Sequence, residues 1–441
     1  MRKKKIFLIP IVLGIVLCLS VGLLGVSDRS QSKKILTLYQ SGPSLVVERT
    51  ELGLNEGINH LTMYLPGSVV SRTIFVTSPD ATLESLRVAP AVDSESGILK
   101  SLVGEEISVT KTGDAGTTVK GTLIGVVGGQ PLLKTADGET RLIKNPGEYR
   151  FDGFYPEKMD TSVKLELSSD VKSDTNLTVG YQLSGLNWSP QYVGFLNEKE
   201  GLLDLNGLAH IENETGWNFQ KVHLRLLAGE PKREEAGTRY FALARASNKQ
   251  MESAAPEQVF DYYRYKIEKP LDLPGDVATQ VKFFHRDSVS YEKYYLFEPY
   301  SSSAVRTMIH LENTEEKGLG VPISSGTVRL YEDTEEKTFI GADAFPNLPV
   351  GEDVKLELGD AFDLKGDRAR TDHERIGEDI WKDRIELTVN NRKEEPADLL
   401  IRERLPGDWE ILKSSHEYKK VNSSVIEYEK TIPAEGSVEI S

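Results

Sequence analysis

The sequence predicts an all-β ectodomain behind one N-terminal transmembrane helix. Three observations support this: an uncharged run at 6–27, repeated two-residue alternation of apolar side chains, and turn-forming clusters between the alternating runs. Alternation with a period of two places apolar side chains on one face of a strand. No long stretch shows a helical period, so the elements predict two β-sandwich domains with a small SH3- or Sm-like barrel inserted in the first.

The N-terminal segment predicts how the chain meets a membrane. Four of the first five residues are basic, and the run 6–27 is uncharged. As a helix that run spans about 33 Å, enough for a hydrocarbon core of about 30 Å. The positive-inside rule places residues 1–5 in the cytoplasm and the bulk of the chain outside, as a single-pass protein of the cell membrane. We favour an uncleaved signal anchor, and a cleaved signal peptide is the alternative.

Composition limits the classes of function. The 441 residues include 53 Lys+Arg and 68 Asp+Glu, a net charge of −15, and one cysteine, Cys18, inside the apolar run. The exterior part therefore has no thiol for disulfides or cysteine-based metal sites. Its acidic balance predicts a surface that avoids nucleic acid, polyanions and anionic lipid head groups.

Alternating strands then define the exterior domains. We predict a linker at 28–35, an N-terminal sandwich at 36–229, an acidic flexible linker or loop at 230–260, and a C-terminal sandwich at 261–441. No internal repeat is apparent in the sequence. The runs with the clearest alternation are Val163/Leu165/Leu167, Leu177/Val179/Tyr181/Leu183, Val222/Leu224/Leu226, Val354/Leu356/Leu358 and Ile385/Leu387/Val389.

The block at about 101–150 differs from its surroundings, because short apolar pairs alternate with glycine-rich turns such as Asp137-Gly138. Asp-Gly between apolar pairs is a strong hairpin signal, so several short strands of a small barrel are expected. Small barrels of this kind can bind peptides or nucleic acid. Between Gly104 and Pro146 the acidic and basic residues balance and no aromatic residue is present, so we expect a structural barrel that binds no nucleic acid.

The sequence shows no catalytic, cofactor-binding or metal-ligating residues. It lacks a GxSxG elbow, a GxGxxG loop, a Walker loop and an HExxH pair, and its seven histidines do not have zinc-ligand spacing. A triad assembled in space leaves an unrecognised hydrolase as one alternative. A second alternative is binding of carbohydrate or cell-wall polymer through exposed Trp or Tyr, which loses its basis if Trp188, Trp217, Trp381 and Trp409 are all buried.

Several segments resemble a known family. They are "VGYQLSGLNWSPQY" (179–192), "NETGWNFQKVHLRLLAGEP" (213–231), "RLYEDTEEKTFIGADAFPNLPVGEDVKLELGDAFD" (329–363) and "LPGDWEI" (405–411). Together they resemble the domain of unknown function 4139 family, which includes the mucoidy inhibitor A-like proteins, over nearly all of 36–441. Many relatives carry a coiled-coil insertion, for which residues 84–103 are too short. The resemblance implies a β-rich envelope protein and supplies no catalytic residue, cofactor or activity.

We therefore expect a membrane-anchored, extracytoplasmic protein without enzymatic activity, which acts as an interaction or scaffold protein of the cell envelope. Its expected partners are the membrane, through the N-terminal helix, and other envelope proteins or wall polymers, through exposed sheet edges.

Overall fold

The computed structural model describes residues 33–92, 94–112, 117–152, 160–229, 231 and 256–441. These residues are mostly β-strand, which confirms the all-β class. The predicted anchor at 6–27, the residues before it and most of the predicted loop at 230–260 lie outside the described residues. Within the described ranges, no helix has the length and apolar character needed to cross a membrane.

Fifteen strands precede the 230–260 segment. They are β1 (Lys33–Tyr39), β2 (Ser44–Leu54), β3 (Gly57–Leu65), β4 (Phe75–Thr77), β5 (Thr82–Ala89), β6 (Glu106–Lys111), β7 (Thr118–Val127), β8 (Gln130–Lys134), β9 (Thr140–Leu142), β10 (Pro146–Phe151), β11 (Thr161–Ser169), β12 (Ser173–Leu183), β13 (Leu186–Asn197), β14 (Leu202–Asn213) and β15 (Phe219–Ala228). A 3-10 turn at Ser71–Thr73 and the helix α1 (Glu95–Ser101) complete this half. The Ser94 hydroxyl caps α1 by accepting from the Gly97 amide at 3.2 Å.

The remaining strands follow that segment. They are β16 (Glu257–Val259), β17 (Tyr262–Lys266), β18 (Leu271–Leu273), β19 (Val277–Ser290), β20 (Glu292–Phe297), β21 (Ala304–Glu312), β22 (Gly326–Glu332), β23 (Phe339–Phe345), β24 (Asp353–Arg375), β25 (Trp381–Asn391), β26 (Ala397–Arg404), β27 (Lys419–Lys420), β28 (Val425–Ile432) and β29 (Ser437–Ile440).

The strands form five sheets. Sheet A has the order β16-β17-β15-β1-β2-β12-β4, with β18 also paired to β15. Sheet B is β3-β11-β5, sheet C is β10-β6-β7-β8-β9, sheet D is β19-β14-β13-β22-β23, and sheet E is β27-β28-β26-β20-β21-β24-β25-β29. Sheets A and B face each other across a first core that includes the alternating rows of β11, β12 and β15. The predicted alternation is thus confirmed in these strands.

Sheet D joins the first core to a second one. The Trp188 end of β13 lies in the first core, where the indole N–H donates to the Leu227 carbonyl at 3.2 Å. The Tyr192 and Leu196 end packs in the second core, between sheet D and strands β21 and β24 of sheet E. Because β13 pairs with β22 and β14 pairs with β19, the sheet combines strands from both sides of 230–260. The division into domains at 36–229 and 261–441 stays a prediction. Strands from the two sides of the 230–260 segment pair with each other in sheet D.

Two further cores complete the fold. Sheet E encloses a third core around Phe297, Leu364, Val389 and Ile401. Sheet C, at Glu106–Phe151, packs with α1 around a core of its own, and it is inserted between β5 and β11, which pair in sheet B. Its β8–β9 turn contains Gly138 at φ 86°, so the predicted Asp-Gly turn is found.

A structural repeat connects these sheets. A buried asparagine, at most 2% exposed, is the last residue of β14 and of β25 and directly follows β21: these are Asn213, Asn391 and Asn313. Each side-chain amide donates to three backbone carbonyls, two of which belong to a Leu-Pro or Ile-Pro pair: Leu273-Pro274, Leu348-Pro349 and Ile432-Pro433.

The chain segment after each proline begins the strand that pairs with the asparagine's own strand. These partners are β19, β24 and β29. The repeated unit therefore consists of a strand with a buried asparagine at its end, an intervening chain segment, and a proline turn that is hydrogen-bonded to the asparagine. The repeat is not apparent in the sequence because the segments between each asparagine and its proline differ in length, so the sequence has no fixed period.

Candidate functional site

Part of sheet E extends beyond the cores as a two-stranded ribbon. Strand β24 pairs with β21 only as far as Lys365, and β29 pairs with β25 only at Leu387–Asn390. At residues 370–384, hereafter the ribbon, β24 and β25 pair with each other alone among the described strands. Every residue of the ribbon except Gly377 is exposed, so it buries no core.

The base of the ribbon is rigidly held. Gly366 lies against the Phe297 ring so closely that an added Cβ would approach a ring carbon to 2.3 Å, which only glycine avoids. Two residues later, the Arg368 guanidinium donates to the buried carboxylate of Glu403 at 2.8 and 3.0 Å and lies over the Tyr300 ring. Burial raises the pKa of Glu403 above its usual range although Arg368 opposes this shift. The ribbon thus extends from a fixed support.

The tip of the ribbon is closed by its own hydrogen bonds. The amides of Ile376 and Gly377 donate to the Ile380 carbonyl at 3.0 and 3.2 Å. The Arg375 guanidinium donates to the carbonyls of Gly377 and Glu378. Isolated two-stranded hairpins are marginally stable in water, so these contacts contribute to the order of the tip.

One aromatic ring organises the side chains near the tip. The Trp381 ring stacks on the His373 imidazole with centroids 4.5 Å apart and planes 5° from parallel. Arg375 lies over the same ring at 5.6 Å. The Asp383 carboxylate pairs with His373 and with Arg370. Cross-strand pairs of this kind hold the ribbon's register.

The tip also presents apolar surface to solvent. The exposed fractions are 56% for Ile376, 60% for Ile380 and 53% for Trp381. The other tryptophans differ: Trp188 is fully buried, and Trp217 and Trp409 are half-buried. Among the four tryptophans, Trp381 is therefore the one whose ring is exposed enough to bind a carbohydrate.

A cleft of about 300 Å³ between sheets D and E is a candidate active site for the hydrolase alternative. Its lysines are occupied, since Lys393 donates to the Tyr295 hydroxyl and pairs with Glu395, and Lys293 pairs with Glu198. Partial burial lowers the pKa of Lys393, but its hydrogen bonds to Glu395 and Tyr295 outweigh this and raise it above its usual value. Lys393 is thus protonated at neutral pH and is not poised as a base.

One serine and one histidine lie close together on a loop near the C-terminal end of the described chain. The Ser415 hydroxyl lies 2.9 Å from the His416 ring, on an exposed loop. Within the described ranges no carboxylate hydrogen-bonds to that ring, so the third member of a triad is missing there. The part of the chain that the structure describes also contains no group of three His, Cys, Asp or Glu side chains able to hold a metal ion.

The ribbon was not predicted from the sequence. Residues 366–386 lack the alternating apolar row that marks a half-buried strand, because neither face of the ribbon covers a core. The available signal was the charged stretch "RARTDHERIGEDIWKDRIEL" (368–387), in which isolated Ile and Trp residues surround one Gly. A run of charges interrupted by a few large apolar residues fits an exposed hairpin.

The fold and the ribbon define a multi-core all-β protein with a projecting two-stranded ribbon. A family model described as "Domain of unknown function (DUF4139)" matches residues 177–410, and the chain belongs to this family. The matched region includes the ribbon and all three buried asparagines. No protein of curated function matches the chain.

Proposed function

We propose that this chain is a membrane-anchored, extracytoplasmic protein without enzymatic activity that binds other envelope proteins through the ribbon at 370–384. The observation that supports this function is the ribbon itself, which is ordered, projects from a fixed base, and exposes Ile376, Ile380 and Trp381. A structural element that covered a core would bury such side chains, whereas a contact element leaves them available.

The backbone of the ribbon adds a second means of contact. Because both outer edges are unpaired among the described strands, their N–H and C=O groups can accept an extended segment of a partner as a further strand. Charged residues along the same edges, including Asp372, Glu374 and Arg384, disfavour uncontrolled edge-to-edge aggregation. A specific partner would supply complementary charges.

The proposed anchor is the uncharged run 6–27, with the four basic residues before it in the cytoplasm. Sheets A and B, with the shared first core, support the proposal that the exterior part contains β-sandwich units, with sheet C as a small barrel inserted in the first. We expect the full chain to pellet with membranes and to be digested by protease added outside cells stripped of their wall. Finding the chain soluble in the cytoplasm would overturn this location.

The contact role is tested by photocrosslinking in intact cells. A photoreactive amino acid replaces Trp381 or Ile380, and Phe339, an aromatic residue 55% exposed outside the ribbon, serves as the matched control position. We expect a discrete adduct with one envelope protein from the ribbon positions and none from position 339. Equal adducts at all three positions, or none at any, would contradict the proposal.

Binding of wall polymer is a second candidate, and the exposed Trp381 ring favours it. His373 stacks on the ring and Arg375 lies over it at 5.6 Å, but Trp381 remains 53% exposed, which leaves ring surface for a sugar. Soluble wall fragments should then change the tryptophan emission of the native protein. They should not change the emission of the Trp381→Phe variant, which lacks this indole. An unchanged emission in the native protein would remove this candidate.

A further inference from the structure

The outer face of sheet A has a charge opposite to that of the whole protein. In strand register, Lys33 of β1 lies opposite Arg49 of β2, and Arg225 of β15 lies opposite Lys266 of β17. Their neighbours along each strand, such as Leu36 and Leu224, point into the first core, so these cations share the outer face. Together with His223 and Arg264 they form what we call the basic face.

Few carboxylates neutralise this face. Glu257 pairs with both Arg264 and Lys266, at 2.7 and 2.6 Å. Within the described ranges, Lys33, Arg49 and Arg225 have no carboxylate within 4.0 Å, although Glu51 lies two residues beyond Arg49 on the same strand.

The cations also influence one another. Burial, together with the nearby Arg264 and Arg49, lowers the pKa of Arg225 although Glu257 opposes this. Burial and the neighbouring Lys33 and Arg225 lower the pKa of His223. Like charges held this close are relieved by an anionic partner.

A polar cleft of about 540 Å³ adjoins this face beside Arg49. Its lining consists of Arg49, Thr77, Ser78, Pro79, Asn176 and Thr178. The lining offers a guanidinium, hydroxyl groups and an amide, and it contains no carboxylate. Such donors suit the oxygens of a phosphate group.

The basic face begins close to the proposed anchor in the sequence. Only residues 28–32 separate the run 6–27 from Lys33, and five residues span at most about 18 Å. Sheet B lies across the first core, so its outer face points the opposite way.

We propose that the basic face of sheet A docks on anionic phospholipid head groups of the membrane that holds the anchor, with Arg49 and its cleft receiving a head-group phosphate. This inference rests on the proposed anchoring. This proposal differs from the expectation based on net charge alone, because the cations of the basic face lie together on one side of sheet A.

The test uses the full chain in proteoliposomes of phosphatidylcholine, with or without about 30% phosphatidylglycerol, a fraction that gives a negative surface potential. A membrane-impermeant amine reagent labels exposed lysines, and mass spectrometry measures the labelling rate at Lys266 on the basic face and at Lys164 on sheet B. We expect phosphatidylglycerol to slow labelling of Lys266 about threefold and to leave Lys164 unchanged, with the effect lost at high salt.

Two variants of equal charge change locate the effect. Lys33→Gln with Arg49→Gln removes two exposed cations of the basic face, whereas Arg87→Gln with Lys164→Gln removes two exposed cations of sheet B. Each cation near an anionic surface changes binding about fivefold, so the first variant should lose the protection of Lys266. The second variant should keep it.

Equal labelling in both lipids, or equal behaviour of the two variants, would overturn the proposal. Protection of Lys266 by soluble polyglycerol phosphate in neutral proteoliposomes, without protection by phosphatidylglycerol, would also overturn it and assign the face to a polymer. Failure of the native chain to float with neutral vesicles would instead overturn the anchor on which this inference rests.

Discussion

The buried amide of Asn313 should stabilise the second core strongly. Asn313 is fully buried, and its amide nitrogen donates to the carbonyls of Val321, Leu348 and Pro349 at 2.8, 3.2 and 2.8 Å. Its carbonyl oxygen accepts from the Val321 amide at 3.2 Å. Asn313→Ala leaves these buried groups without their partner, and at about 1 kcal/mol for each of three or four groups the loss is about 3–4 kcal/mol.

Asn313→Asp is the sharper variant because it changes little but the donor. At neutral pH a carboxylate would face three carbonyl oxygens away from water, so we expect a loss larger than that of Asn313→Ala. Acidification should restore part of the stability, since a protonated carboxyl can donate one hydrogen bond.

The measurement is amide hydrogen exchange across β21 and β24 of the full chain, which reports the opening of this core separately from the others. The control is Asn347→Ala in the neighbouring loop, where an exposed asparagine accepts from the Ser325 amide at 2.9 Å. The control should change protection by less than about 0.5 kcal/mol. A loss below about 1 kcal/mol for Asn313→Ala, or equal losses for it and the control, would refute the role assigned to the buried amide.

Three further predictions concern the ribbon and the carboxyl groups of Glu403 and Glu257. Trp381→Ala removes one ring stack and one cation–π contact, together about 1–2 kcal/mol, so amide exchange should accelerate at 376–384 and stay unchanged in the cores. Burial raises the folded-state pKa of Glu403, so the folded protein binds this proton more tightly than the unfolded chain does. The stability of the protein should therefore fall as pH rises above about 4.5 towards the folded-state pKa. In thermal melts, Glu403→Gln should flatten this part of the pH profile. Hydrogen bonds from Lys266 and Arg264 lower the pKa of Glu257 to about 2. Its small contribution to the stability of the folded protein should be present above about pH 4.5 and be lost as pH falls towards 2. In thermal melts, Glu257→Gln should abolish this dependence.

The sequence predicted those strands that cover a core on one side. The rows of β11, β12 and β15 alternate because one face packs in the first core and the other meets solvent or a neighbouring strand. The Asp137-Gly138 turn follows from an equally local rule. Such features depend on neighbours in sequence, which is why they could be predicted without the fold.

Pairings between distant strands could not be predicted in that way. Trp188 is buried in the first core, but nothing local shows that the same strand continues into a second core beside β22. Parallel pairing of β13 with β22 joins segments more than 100 residues apart in the chain, and apolar alternation does not identify a partner.

The three asparagines show how the repeated unit supports the ribbon. Each asparagine follows an apolar strand in the sequence, as in Ile211-Glu212-Asn213 and Leu311-Glu312-Asn313, and each binds a proline turn that can lie at different distances along the chain. A unit closed in this way tolerates a long excursion, because the cost of closing a loop grows only slowly with its length. In the third unit the strand that ends in Asn391 also forms one side of the ribbon. The buried amide therefore fixes the strand at one end while the other end extends into solvent, so the ribbon can vary its tip without disturbing the core that supports it.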